Sequence, residues 1–449
     1  MSMDKVLTLA EKKGAEYAEV LEQVSSSTIV EAVNKEIRQI SAGENKLYAV
    51  RVVFEGRLGA AYSYNNDYAK LLNSAIANAK ANDNIIDFSY AKPVKKKIVT
   101  KFKVNPLDVD IITKKEFVQG LDDKEGFNNI PNLRLTYNDI VQEHKFMNTE
   151  SSEILWKDCA TSLAIVPIAK RNNELQNYVK IVRDKGGYEV VKNAAKDVKE
   201  AMRKAEQMLD AKLAKGGKFK VIADNHLTGV FAHEAVGHAC EADLVMNNVS
   251  ILTGKTGEKI ANEQLSISDD GNLKTWGWTP FDSEGVKATK TKLIQNGVLN
   301  SFMHSRTTAK KFNQKLTGNG RAQSVMNRVI PRMTTTYVEK GDSSFEEMLA
   351  EVKKGYYLKD SLGGQVDTGG GSFLFNAKEG YWVENGEIKH MVKGVSLVGN
   401  IMKTMFNIKL IGNDMKYGSG FCGKSGQYVP VSDGGPHMLI ENATVGGAK

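Results

Sequence analysis

Two Asn-Gly pairs, Asn296-Gly297 and Asn385-Gly386, constrain this chain most, because each sits between segments of alternating hydrophobicity. Both central residues of a two-residue type I′ hairpin take positive φ, which Asn and Gly do at least cost, so each pair predicts two adjacent antiparallel strands. Both lie after Gly216-Gly217, where short apolar runs punctuated by glycine replace helical periodicity. Residues 215–449 are therefore expected to form a mainly antiparallel β domain. Before the glycine pair, Val191, Ala195, Val198, Met202, Ala205, Leu209 and Leu213 recur every three or four residues. That period predicts a long helix over 189–213, closing an N-terminal domain of residues 1–214.

Within the N-terminal domain both periods occur. Residues 3–14 read as a short helix, 17–23 and 28–31 as strand, and 46–54 as a strand apolar on both faces. From 67 to 81, Leu71, Leu72, Ala75, Ile76 and Ala79 share a helical face, which predicts a helix packed on a sheet. The expected fold class is α+β: an N-terminal mixed sheet with packed helices, followed by the β domain. Lysines between 92 and 103 follow neither period and read as a solvated linker or edge strand, so a subdomain joint is expected near 92–105.

At 449 residues the chain exceeds one typical domain. Its 61 Lys and Arg against 53 Asp and Glu leave a formal charge of +8, small for this length. No helix-turn-helix, zinc-finger or RNA-recognition pattern accompanies that charge, so nucleic-acid binding is not expected. Three cysteines, Cys159, Cys240 and Cys422, are too few for a disulfide-stapled secreted domain and fit reduced thiols in the cytoplasm. The N-terminus carries no signal-peptide pattern, and the longest nearly uncharged apolar stretch, 160–169, is about half the roughly 20 residues a bilayer requires. No membrane association is expected.

The segment that carries chemistry reads His233-Glu234-Ala235-Val236-Gly237-His238, with Cys240, Glu241 and Asp243 close behind. A strand over 219–223 precedes it, and residues 224–228 offer caps for a helix beginning near Leu227. In the familiar H-E-x-x-H motif the histidines are four apart and share one helix face. Here they are five apart, so an ordinary α-helix would turn them roughly 140° from one another, too far to hold one ion. A π-turn, with its i→i+5 hydrogen bond, restores a common face. A local widening is therefore expected within 232–239, with Gly237 relaxing the backbone.

Catalytic zinc sites usually take three protein ligands and leave a fourth position open. Candidates for the third ligand are Cys240, Glu241 and Asp243 on the same element, His226 before it, and Cys422 or His437 far along the chain. Cys422 is favoured, because Gly418, Gly420, Gly423 and Gly426 let the surrounding backbone approach closely and aim one thiolate. The expected centre is one zinc ion on His233, His238 and Cys422. Glu234 is the expected general base, taking a proton from the attacking water and delivering it to the leaving amine. Glu241 and Asp243 are expected to accept from the second N–H of the imidazoles.

Taken in order, 233–238 with Glu241 and Asp243, then Gly363-Gly364-Gln365-Val366-Asp367, Val392-Lys393-Gly394, and Cys422-Gly423-Lys424 with Gly426-Gln427, the chain resembles the TldD branch of the TldD/PmbA metallopeptidases. The likeness covers most of 219–447. It implies a zinc peptidase with two histidines and a distant cysteine as ligands, the metal buried in a chamber, acting on short or unfolded peptides. It also implies assembly, as the active member of a heterodimer with a PmbA/TldE-like subunit or as a homodimer. Ala239-Cys240 departs from the Gly and aliphatic pair expected in many relatives and adds a thiol near the metal.

Two other functions compete. A deformylase-like amidase also combines two histidines with a cysteine, but its short chain and four-residue histidine spacing argue against it. A non-catalytic binding or regulatory subunit would use the positive charge alone. Trp276, Trp278, Tyr381 and Trp382 are expected to fill the sheet core, and Cys159 to be a small buried hydrophobe.

Overall fold

A computed structural model describes residues 1–447. Six strands, β1 (Tyr17–Val33), β2 (Glu36–Phe54), β3 (Arg57–Ser63), β4 (Lys95–Val99), β5 (Asn132–Asn148) and β6 (Glu153–Arg171), build the first sheet in the order β3-β2-β1-β5-β6-β4. β7 (Glu174–Asn177) and β8 (Lys180–Lys185) also pair with β6. Pairing is antiparallel except for β4, which runs parallel to β6. The strands expected at 17–23 and 28–31 are one. Ser25, Ser26 and Ser27 stay in register with β2 on one side and β5 on the other, so two neighbours hold a serine run of weak intrinsic strand preference.

Alternation along β1 divides the sheet's two faces. Ala18 and Val20 turn toward α1 (Met3–Lys12) and α2 (Tyr68–Lys80), meeting Val6, Ala10, Leu72 and Ala75. Val30 and Ala32 meet α3 (Ile111–Gly120) and α4 (Ala195–Leu209) through Val118, Val198 and Met202. The opposite face presents Leu21, Ala49, Phe146 and Ile154 to Phe281 of the second half.

The lysine segment is edge strand β4, so a single sheet continues across the joint expected near 92–105. The helix expected over 189–213 is shorter, because α4 begins at Ala195 and ends at Leu209. Val191 and Ala194 are buried in the turns before it, where they mimic helical spacing. Lys212–Leu213 (β9) already pairs with Glu387–Lys393 of the second half.

The second half stacks two sheets. One runs Lys354–Asp367, Gly217–Ala223 (β10), Met438–Gly446, Ser396–Asn400, Ser372–Glu384, Glu387–Lys393 and β9, and it closes into a barrel where Lys354–Asp367 pairs antiparallel with Ser372–Glu384. The other runs Val298–Leu299, Lys290–Gln295, Ile267–Asp270, Thr335–Val338, Gln427–Gly435 and Lys416–Tyr417, with Gly420–Lys424 added as a hairpin on Gln427–Gly435. Most pairings are antiparallel, as expected. Both Asn-Gly pairs occupy two-residue turns, with φ of 48° and 77° at Asn296 and Gly297 and 52° and 78° at Asn385 and Gly386.

Between these sheets lies α5 (Asn225–Phe231). Phe231 is fully buried against Phe373 and Phe375, with ring centroids 5.9 and 6.5 Å away. On the other side Gly229 lies so close to Gly434 that a Cβ would stand 2.6 Å from its backbone nitrogen. A helix gripped from both sides delivers the next residues to a fixed place.

Candidate metal centre

Asp224 ends the β10 segment and caps α5, its side chain accepting from the Leu227 N–H at 2.9 Å. After Phe231 the chain winds as a π-helix over Ala232–Gly237 and closes with a 3₁₀ turn at His238–Cys240. The widening expected within 232–239 is thus present, and the His233 and His238 rings stand 5.2 Å apart. Gly237 keeps an ordinary helical φ of −54°, so backbone relaxation is not its role. A Cβ there would lie 2.0 Å from Sδ of the fully buried Met333; glycine lets the π-turn pack flat.

Cys422 arrives on the strand Gly420–Lys424, opposite Val429 in the hairpin. Its Sγ lies 3.5 Å from His238 Nε2, and one ligand atom from each of His233, His238 and Cys422 falls within 4.8 Å of the others. A tetrahedral zinc with nitrogen at about 2.0–2.1 Å and sulfur at about 2.3 Å separates those two atoms by about 3.6 Å. The cysteine and His238 already stand at that spacing. His233 Nδ1 is buried without a hydrogen-bond partner. Burial disfavours the Cys422 thiolate, yet His233 and His238 outweigh it and hold the thiol well below its usual range. Burial likewise opposes the His238 cation, and Glu241 with Cys422 keeps it well above the ordinary value. One soft sulfur and two imidazoles form a donor set suited to zinc. Glu234 Oε2 is 3.8 Å from His238 Nε2, with 24% of the side chain exposed, so a carboxylate reaches the rim of the three donors.

Glu241 is fully buried and its Oε2 lies 2.9 Å from His238 Nδ1. Assigning the proton to Nδ1 makes that nitrogen the donor and leaves Nε2 free to bind. Lys424 Nζ ties the same Oε2 at 3.2 Å to Asp243 Oδ1 at 2.7 Å. Asp243 therefore meets the lysine, and its contact with the centre runs through Lys424. Arg332, fully buried, places Nε 3.9 Å from Glu241 Oε1 and donates from Nη2 to the Cys422 carbonyl. Neither Arg332 nor Lys424 stood out as functional in the sequence. Lys424 carried two signals: it stands in the Cys422-Gly423-Lys424 motif, and two residues beyond Cys422 on a strand it shares that side chain's face.

The model of the PmbA/TldA metallopeptidase C-terminal domain matches residues 216–447, and that of domain 1 matches 18–79. The chain belongs to the TldD/PmbA family. It is 36% identical to a metalloprotease of Methanothermobacter thermautotrophicus, over 96% of each chain. It is 29% identical to a zinc metalloprotease TldD homolog of Saccharolobus solfataricus, over 99% of this chain and 100% of that one. Two solved structures share the fold. A Thermotoga maritima protein described as a candidate modulator of a DNA gyrase superposes with a TM-score of 0.82 at 24% identity, covering 99% of both chains. TldE of Thermococcus kodakarensis does so with a TM-score of 0.78 at 19% identity, also covering 99% of both.

The other ligand candidates of this TldD/PmbA chain lie elsewhere. Cys240 is fully buried in the apolar core, where burial pushes its thiol up. His226 Nδ1 lies 2.6 Å from Asp360, and His437 sits between Asp414, at 2.6 Å, and the Tyr357 hydroxyl, at 2.9 Å. Among the described residues, His233, His238 and Cys422 form the one cluster with metal-ligand spacing. No helix among them is long and apolar enough to cross a membrane.

Proposed function

We propose that this chain is a zinc-dependent peptidase that cleaves short or unfolded peptides, with His233, His238 and Cys422 holding one zinc ion. The observation that carries the reading is the convergence of those three donors beside the Glu234 carboxylate, across 184 residues of sequence between His238 and Cys422. A zinc ion supplies a Lewis acid for the scissile carbonyl and for the attacking water. Glu234 then accepts the proton of that water and hands it to the leaving amine. Glu241 fixes the His238 ring through Nδ1, and Arg332 fixes the strand carrying Cys422 through its carbonyl. The likeness to TldE supports a TldD/TldE-type partner, and the alternative is a homodimer. Free, buried Cys159, Cys240 and Cys422 support work in a reducing cytoplasm.

Zinc content and cleavage of an unstructured peptide, measured with and without the partner subunit, test this. The unchelated chain should hold one zinc. Glu234→Gln should keep the metal and lose cleavage, Cys422→Ala should lose the metal, and Cys240→Ala should keep both. A chain purified without stoichiometric metal, or a Glu234→Gln variant that cleaves normally, would overturn the reading.

A further inference from the structure

Two adjoining cavities of about 160 and 460 Å³ lie between the helix-free face of the first sheet and the hairpin that carries Cys422. Gln23, Gln142, Asp158 and Lys185 line both from the sheet, with Trp276 and Pro430 opposite. Beside them stands Arg183 of β8, its guanidinium 5.6 Å from the Trp276 ring and 5.5 Å from the Phe421 ring. Phe421 immediately precedes Cys422, so strand alternation turns it to the opposite face of the hairpin from the metal triad.

Arg183 differs from the buried arginines in having no partner. Arg51 pairs with Glu19, Arg306 with Glu150, Arg332 with Glu241 and the Cys422 carbonyl, and Arg321 with the Met333 and Pro430 carbonyls. The Arg183 side chain makes no ion pair or hydrogen bond among the described residues, and its Nε is buried without a partner. Partial burial pulls its pKa down, opposed by Asp433 alone. Nearby cations repeat the theme: Lys274 lies 3.2 Å over the Trp278 ring, and Lys185 stacks on Trp156 while bound to Asp158. Attraction to two ring faces holds a guanidinium in place without using its N–H groups as an ion pair would, which leaves them for a bidentate acceptor.

We infer that the cleft around Arg183, Trp276 and Phe421 is an exosite for a carboxylate of the peptide substrate, either an acidic side chain or the C-terminus, held away from the bond that is cut. This rests on the peptidase reading above. The larger cavity has the size of a small-ligand pocket and takes a short stretch of peptide, whose amides find partners in Gln23, Gln142 and Asn138. A nucleic-acid strand would require a row of free cations along its phosphates. Here one unpaired guanidinium stands at the margin of the cleft, and the Lys185 of its lining is already bound to Asp158.

The test is fluorescence anisotropy on the zinc-loaded, full-length Glu234→Gln chain with its partner, using labelled peptides that are acidic or neutral and have a free or amidated C-terminus. Acidic or free-C-terminal peptides should bind roughly tenfold more tightly than neutral amidated ones. Arg183→Gln should abolish that preference and Arg183→Lys restore part of it, with amidation separating the two sources of carboxylate. In the active chain the preference should appear in KM and not in kcat. No preference in the parent chain, an equal loss for all peptides in Arg183→Gln, or Arg183-dependent binding of a single-stranded oligonucleotide more tightly than any peptide overturns the exosite. Zinc content and cleavage of the neutral peptide by the parent chain fail separately, and only they bear on hydrolysis.

Discussion

Replacing Glu241 by Gln keeps the shape of a fully buried side chain and removes its charge. In the folded chain burial opposes the carboxylate, yet His238, Lys424 and Arg332 hold it below its usual range. One oxygen serves His238 Nδ1 at 2.9 Å and Lys424 at 3.2 Å, while the other faces Arg332 at 3.9 Å. A carboxamide has one accepting end. If its oxygen stays on His238, its NH₂ faces the guanidinium, donor against donor; if it flips, the imidazole loses its anchor. Loss of such an orienting carboxylate typically weakens metal binding by about 10- to 100-fold, or roughly 1.4–2.7 kcal/mol. Stability of the zinc-free chain should fall by about 1–3 kcal/mol, because buried cations lose their acceptor. Competition with a chromophoric chelator reads the first quantity and urea unfolding of the metal-free chain the second. Zinc affinity within about twofold of the parent, alongside reduced stability, would refute orientation of the ligand and leave Glu241 as a brace.

Gly237→Ala should destabilise the chain by about 1–3 kcal/mol through overpacking on Met333; adding Met333→Ala should recover part of that in urea unfolding, and absence of recovery would locate the strain elsewhere. The His226–Asp360 pair predicts a pH window: burial lowers the His226 pKa, but Asp360 and Asp433 outweigh it and raise it to about 9. The folded value exceeds an unfolded value of about 6.5, so the stabilisation is fully present below about pH 6.5 and lost as pH rises through about 9. Thermal unfolding of His226→Gln should therefore lag the parent at neutral pH and converge with it above about pH 9; a gap that persists there contradicts the assignment.

What could be read in the sequence followed from local geometry. A five-residue histidine spacing cannot share one α-helical face, so the widened turn at Ala232–Gly237 was legible from rotation alone. The Asn-Gly hairpins were legible because each turn's conformation is set by two residues. Features decided by distant neighbours were not. Ser25 to Ser27 stay extended only because β2 and β5 hold them, and the first turns before α4 carry buried Val191 and Ala194 at helical spacing without being helix. Arg332 and Lys424 look like ordinary surface charges until the fold buries them beside Glu241.

Burial of both cations beside Glu241 explains how a sulfur so far along the chain is placed. Closing so long a loop has an entropic cost, and one contact between Cys422 and His238 could not hold the sulfur to the tolerance that the proposed metal site would demand. Glu241 touches both sides: it orients His238 through Nδ1 and binds Lys424, two residues beyond Cys422 on the same strand. Arg332, facing the same carboxylate, donates to the Cys422 carbonyl. A single buried charge therefore sets the imidazole and the cysteine strand together. Conservative changes at Glu241, Lys424 or Arg332 should accordingly be non-additive in their effect on zinc affinity, since each loosens the same unit.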